Sequence, residues 1–170
     1  MRYEQIRLVD AAPHFETIAE IVAAVRETRA LPPIDAQAAL RSFARRGDTA
    51  ALAWEGSKLI GVTCLGLCHH FIAGPEWIPI KVRLVRDGHD LARIGCSHFV
   101  YLHPDHWQQG NTSALTEQAR KSNPDLSHTL LQGFATKEFE TWVANLPGVQ
   151  DVGLPNPHVT GQRVFLRKIE

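Results

Sequence analysis

Val100-Tyr-Leu-His-Pro104-Asp-His-Trp107-Gln-Gln-Gly110-Asn-Thr112-Ser-Ala-Leu115 reads as a strand that feeds a helix through a glycine-bearing loop. Its first residues are apolar, Pro104 turns the chain, and the helix is expected from about Thr112. The first backbone N–H groups of a helix have no partner within it and lie at the positive end of its dipole. Gly110 lets the loop backbone approach a ligand closely, and Gln108 and Gln109 add amide donors. Such a junction suits an anion, and a diphosphate above all.

Upstream, Gln5-Ile-Arg-Leu-Val9 alternates as a strand does, and from His14 onward Phe15, Ile18, Ile21, Val22 and Val25 recur at helical spacing. Asp35 can cap a second helix with Ala38, Ala39, Leu40 and Phe43 as its apolar face, ending near Gly47. Ala50-Ala-Leu-Ala-Trp54, a Glu55-Gly-Ser57 turn and Leu59-Ile-Gly-Val-Thr-Cys-Leu65 form a hairpin. In residues 72–95, Ile78, Ile80, Val82 and Leu84 alternate with Pro79, Lys81 and Arg83, which predicts an extra strand before the central one. That segment can cover an acceptor pocket or make the contact of a homodimer.

Downstream, the junction helix stops at Asn123-Pro124, and Thr129-Leu-Leu-Gln-Gly-Phe134 reads as a strand. Thr136 can cap a helix bearing Phe139, Trp142 and Val143, and two strands close the chain over residues 150–154 and 162–169. Eighteen Lys plus Arg balance 18 Asp plus Glu, so nothing marks a nucleic-acid or membrane surface. No apolar run approaches a membrane span and no signal-peptide pattern opens the chain, so a cytoplasmic location is the expectation. Cys64, Cys68 and Cys96 lie in apolar runs and are expected as buried thiols.

The junction and the order of elements around it resemble the GNAT superfamily of N-acetyltransferases. The family motif Gln/Arg-x-x-Gly-x-Gly/Ala has the spacing of Trp107-x-x-Gly110-x-Thr112, flanked by Leu102-His-Pro104 and Ser113-Ala-Leu115. Trp107 and Thr112 depart from the family residues. The resemblance implies an α/β fold with a mixed, mostly antiparallel central sheet flanked by helices, as one domain over residues 1–170. It implies acetyl-CoA as co-substrate and transfer of its acetyl, or another acyl group, to a primary amine of a small molecule. The pyrophosphate would then lie over Gln108, Gln109, Gly110, Asn111, Thr112 and Ser113. The pantetheine arm and thioester carbonyl would meet the backbone of Val100, Tyr101 and Leu102, where the family's central strands splay.

Acyl transfer to an amine needs a base, and His98 lies on the same strand. Period-two alternation would put His98, Val100 and Leu102 on one face. An unperturbed imidazole titrates near pH ~6.5, which suits proton removal near neutrality, and a member of the superfamily carries a histidine at the matching place. Many members also use a tyrosine in the fourth helix as acid for the departing thiolate. Here that neighbourhood holds Trp142, expected in the core or as a wall of the CoA channel, and an indole has no proton to give. Trp107 can stack on the adenine or cover the phosphate loop.

The cysteines and histidines invite a metal reading. Cys68 with His70, and Cys96 with His98, would share strand faces, while His69 and His70 would point apart. Their spacings match no common zinc motif, and no metal is expected. A serine hydrolase is poorly supported, since no Gly-x-Ser-x-Gly occurs. The alternative to an enzyme is a GNAT-fold binding or regulatory protein that has lost turnover, which Trp107, Thr112 and the missing tyrosine favour.

Overall fold

The computed structural model describes residues 1–107, 110–121, 123–133 and 137–169. Its strands run in the order β1-β2-β3-β4-β5-β7-β6 in one mixed, mostly antiparallel sheet, with helices against it. The residues cluster into two compact units: Met1–Gly66 with Ser97–Pro124, and Leu67–Cys96 with Asp125–Glu170. β4 (Ile94–Leu102) contributes to both.

In the first unit β1 (Arg2–Arg7), β2 (Thr49–Glu55) and β3 (Lys58–Leu67) form an antiparallel meander. The first strand lies earlier than the expected residues 5–9, because Leu8 has already left the ladder. Its N–H donates to the Asp48 carbonyl at 3.0 Å and its side chain is fully buried. α1 (Phe15–Thr28) buries Phe15, Ile18, Ile21, Val22 and Val25, the stripe read from the spacing. α2 (Ala36–Arg45) is capped as expected, the Asp35 carboxylate accepting from Ala38 N–H at 2.9 Å. Its inward face is Ala36 and Leu40, with Phe43 half-buried, while Ala38 is exposed. Both helices pack on Leu52, Trp54, Val62 and Cys64. The opposite sheet face receives α4 (Asn111–Lys121) through Leu115 and Ala119. A methyl placed on Gly61 would lie 2.8 Å from Leu102 Cδ1 and 3.3 Å from Leu115 Cδ2, so glycine there lets strand, strand and helix close up.

In the second unit β4 pairs in parallel with β5 (His128–Leu131), Ile94 opposite His128 and Cys96 opposite Leu130. β7 (Arg163–Lys168) runs antiparallel to β5, and β6 (Val149–Pro155) antiparallel to β7. α5 (Lys137–Ala144) follows β5. The cap expected from Thr136 and the strand end at Phe134 lie outside the described residues.

The expected extra strand over residues 72–95 is a helix, α3 (Ile78–Arg86). The apolar positions 78, 80, 82 and 84 fit period two, but Ile80 and Leu84 also fit i,i+4, and only these two are buried. Ile78, Val82 and Val85 are more than half exposed. Pro79 sits in the first turn, where a missing N–H is harmless. Ile80 and Leu84 join Trp77, Ile72, Cys68, Val152 and Val164 in the second core. No helix among the described residues is long and apolar enough to cross a membrane.

Candidate active site

β4 is not a regular strand. Phe99 has φ +51°, a left-handed conformation uncommon outside glycine, and strain of this kind persists only where the surroundings hold it. Such a residue interrupts the side-chain alternation. Phe43 of α2 meets His98 edge-on at 4.6 Å and Phe99 at 5.6 Å, and Phe99 meets Tyr101 at 4.9 Å between ring centroids. His98, Phe99 and Tyr101 therefore line the side of the sheet that α2 covers. Leu102 lies on the other side, against Gly61 and Leu115. The expectation that His98 shares a face with Leu102 fails because Phe99 shifts the parity between them.

Beyond β4, His103 N–H donates to the Ile60 carbonyl at 2.8 Å, and a short 3-10 turn spans Pro104–His106. Trp107 folds back: its indole N–H donates to the Leu102 carbonyl at 2.7 Å, and its ring packs on the first core. The Arg29 guanidinium stacks over that ring, 4.8 Å from its centroid. Arg26, one turn earlier on α1, donates to the Tyr101 hydroxyl at 3.1 Å. Asn111 donates to the His106 carbonyl at 3.2 Å, Gly110 takes φ +72°, and Thr112 and Ser113 are exposed in the first turn of α4. A side chain at Gly110 would meet no described atom within 4 Å, so space lies over the loop there. Val100 is 38% exposed. Gln108 and Gln109 lie outside the described residues. What the junction offers an anion is the backbone of 110–113, the Thr112 and Ser113 hydroxyls and the nearby Arg29 charge. Trp107 spends its single donor on the protein.

His98 has a partner that sequence reasoning missed. Its Nε2 lies 2.9 Å from Asp48 Oδ2, and Arg46 Nη2 reaches the same oxygen at 2.9 Å. Asp48 follows α2 in a turn, its N–H donating to the Phe43 carbonyl at 3.2 Å. Its side chain is 1% exposed. Gly66 makes the room: a methyl there would lie 2.7 Å from Oδ1 and 2.9 Å from Oδ2. No spacing rule links residues 48 and 98; the one local signal was Gly66, next to last in β3. Trp142, expected in the core or as a channel wall, is 49% exposed. His69 and His70 lie not in a strand but in a 3-10 turn, Cys68–His70, their rings 4.0 Å apart, so the shared strand face of the metal reading is absent at that end.

The electrostatics of the pair have a definite sign. Burial holds the His98 imidazole below its ordinary range, outweighing the nearby Asp48 carboxylate. Burial would raise Asp48, but the hydrogen bonds from His98 and Arg46 and their charges win, so it titrates low. Both groups bind protons less readily folded than unfolded, so stability rises with pH through both titrations. The His98 contribution is complete above the unfolded imidazole value near ~6.5 and is lost as pH falls through its lower folded value. The Asp48 contribution is lost only in stronger acid. We expect the melting temperature to fall between pH 7.5 and 5.5, with a shallower slope in His98→Gln. Equal slopes in the two proteins would show that His98 does not titrate in that window.

No family model matches the chain, and no curated protein matches it in sequence. Solved structures do match in fold. An acetyltransferase of the GNAT family from Staphylococcus aureus Mu50 superposes with a TM-score of 0.62 at 11% identity, covering 99% of this chain and 100% of that one. An acetyltransferase from Thermus thermophilus gives 0.61 at 12%, covering 99% and 97%. The PaiA N-acetyltransferase from Thermoplasma acidophilum, solved with coenzyme A, gives 0.57 at 15%, covering 99% of each. Taken with the strand order and the β4–loop–α4 junction, these matches show that the chain has the fold of the GNAT-family acetyltransferases.

Proposed function

We propose that the chain, as one domain, is an N-acyltransferase that moves an acetyl or other acyl group from CoA to a primary amine of a small molecule. The observation that carries this reading is the left-handed backbone at Phe99 within β4, three residues before the strand ends and hands the chain to the Gly110 loop and α4. A residue at positive φ takes backbone groups out of the regular ladder. N–H groups from Val100, Tyr101 and Leu102 are then candidates to hold the pantetheine arm and to polarise the thioester carbonyl as negative charge develops on it. The pyrophosphate would rest on the backbone of 110–113, where a side chain at Gly110 would meet no described atom within 4 Å. His98 takes the proton that the acceptor ammonium must lose, directly or through water. The amine nitrogen bonds to the carbonyl carbon, the carbon–sulfur bond breaks, and the nitrogen's second proton goes through water to the departing CoA thiolate.

A second reading, a GNAT-fold protein without turnover, is favoured by Trp107, which spends its only side-chain donor on the Leu102 carbonyl. Thermal-shift measurements with CoA, acetyl-CoA and longer thioesters, followed by thiol-release assays with a panel of amines, separate the two. At a concentration 100 times its dissociation constant a ligand adds about 2.7 kcal/mol, a rise of roughly 5–11 °C for a chain of this size. A shift together with amine-dependent thiol release is the expected result. A shift without release supports the second reading. No shift with any CoA species would sink both as ligand-binding proposals.

A further inference from the structure

We infer that a cleft between the β1–α1 turn and the end of α2 is a binding site for a small aliphatic carboxylate. The inference stands apart from the acyltransferase reading and uses no residue of β4 or the Gly110 loop. The cleft measures about 290 Å³ and is lined by Val9, Ala12, Phe15, Arg41, Ala44 and Arg45.

Its walls are preformed. On one side the turn is anchored by Leu8 and Ala11, both fully buried, with Ala11 N–H donating to the Leu8 carbonyl at 3.1 Å. With those anchors set inward, Val9 is left 54% exposed on the cleft. Phe15, buried at the start of α1, adds an aromatic surface. On the other side Arg41, Ala44 and Arg45 fall at i, i+3 and i+4, so they share one face of α2.

The chemistry of the lining selects the ligand. Val9, Ala12, Phe15 and Ala44 offer an apolar surface, and the only charged groups on it are two arginines. Asp10, beside Val9, is already held by Arg7 through two bonds of 2.7 and 3.1 Å. Arg41 bonds the neutral Gln37 of its own helix at 3.2 Å, and neither Arg41 nor Arg45 makes an ion pair among the described residues. Both guanidinium groups stay protonated, and their planar forks match a carboxylate. The negative end of α2 lies within a turn of Arg45 and opposes an anion, so the two charges are needed together. An apolar surface with two unneutralised cations on it complements an anionic head on a short apolar chain. At the roughly 30 Å³ that a water takes in the liquid, the cleft has room for about ten non-hydrogen atoms. Octanoate, with eight carbons and two oxygens, is that size.

Sodium octanoate titrated into ¹⁵N-labelled protein, with backbone amide shifts as readout, tests the site directly. The amides of Val9, Ala12, Ala44 and Arg45 should move saturably, with a dissociation constant on the order of 1 mM. Octylamine keeps the chain and reverses the charge, and acetate keeps the head without the chain; each should bind roughly tenfold more weakly or worse. Replacing both arginines, Arg41→Met with Arg45→Met, keeps much of their apolar stems and should weaken octanoate by roughly tenfold or more. Ala12→Phe fills the cleft with both charges in place and should also weaken it. Positions 12, 41 and 45 are all exposed, so these variants keep the fold. Equal binding of octanoate and octylamine, equal binding of octanoate and acetate, or no saturable shift at the four amides overturns the inference. Shifts at the same amides that grow with protein concentration alone overturn it too, and assign the cleft to a second copy of the chain. None of these results bears on the acyltransferase reading, which is tested by CoA binding and thiol release.

Discussion

His98→Gln should cut turnover by roughly 10²–10⁴-fold, the range for loss of a general base, while CoA affinity stays within about twofold of wild type. The substitution isolates the chemistry because glutamine places an amide near the Nε2 position. Its N–H2 can still donate to the Asp48 carboxylate 2.9 Å away, so the buried charge keeps a partner and the fold is spared. What disappears is the titratable ring. The acidic limb of kcat/KM should go with it. Burial holds the imidazole below its ordinary value, so the wild-type limb should lie below about pH 6.5. Acceptors of different amine pKa must be compared, since a limb belonging to the acceptor would move with it. Near-wild-type turnover in His98→Gln, with a limb that tracks the acceptor, would make His98 a structural histidine.

Gly110→Val should weaken CoA binding at least tenfold, about 1.4 kcal/mol. Two effects combine. Valine is β-branched and the site has φ +72°, so the loop must leave its conformation or carry strain on the order of 1–3 kcal/mol. The side chain would also fill space that no described protein atom occupies, which is where a phosphate would come down on the backbone. Gly110→Ala separates the two, keeping most of the backbone cost with less bulk. The loop is a surface feature, so the melting temperature should move by only a few degrees. Full CoA affinity in a folded Gly110→Val protein would remove the phosphate loop from the site.

Much of this fold was legible because its signals were local and redundant. α1 announced itself through five apolar positions at helical spacing, all of them buried, and Asp35 capped α2 as its residue type suggested. Residues 78–84 misled because one short pattern satisfies two periods. Only the packing of Ile80 and Leu84 on Trp77 and Val152, unreadable from spacing, decides for a helix. The candidate site was half legible. The junction at residues 100–115 carries its signal in consecutive residues. The face that His98 occupies depends on a backbone kink at Phe99, and nothing in phenylalanine suggests a positive φ. Asp48 reads as an ordinary helix-end aspartate until a strand fifty residues later brings an imidazole to it.

The three cysteines have a consequence for how this protein can be handled. All are buried thiols, and burial lifts Cys68 to about 11 and Cys64 further still. Thiol exchange proceeds through the thiolate, so Cys64 and Cys68 should stay inert beside the free CoA that the proposed reaction releases, and burial shields Cys96. They should form no mixed disulfide with the product, and alkylating reagents should leave the folded protein untouched. A colorimetric thiol reagent added during turnover would therefore count CoA alone, against a silent protein background, until the chain unfolds and three further equivalents appear at once.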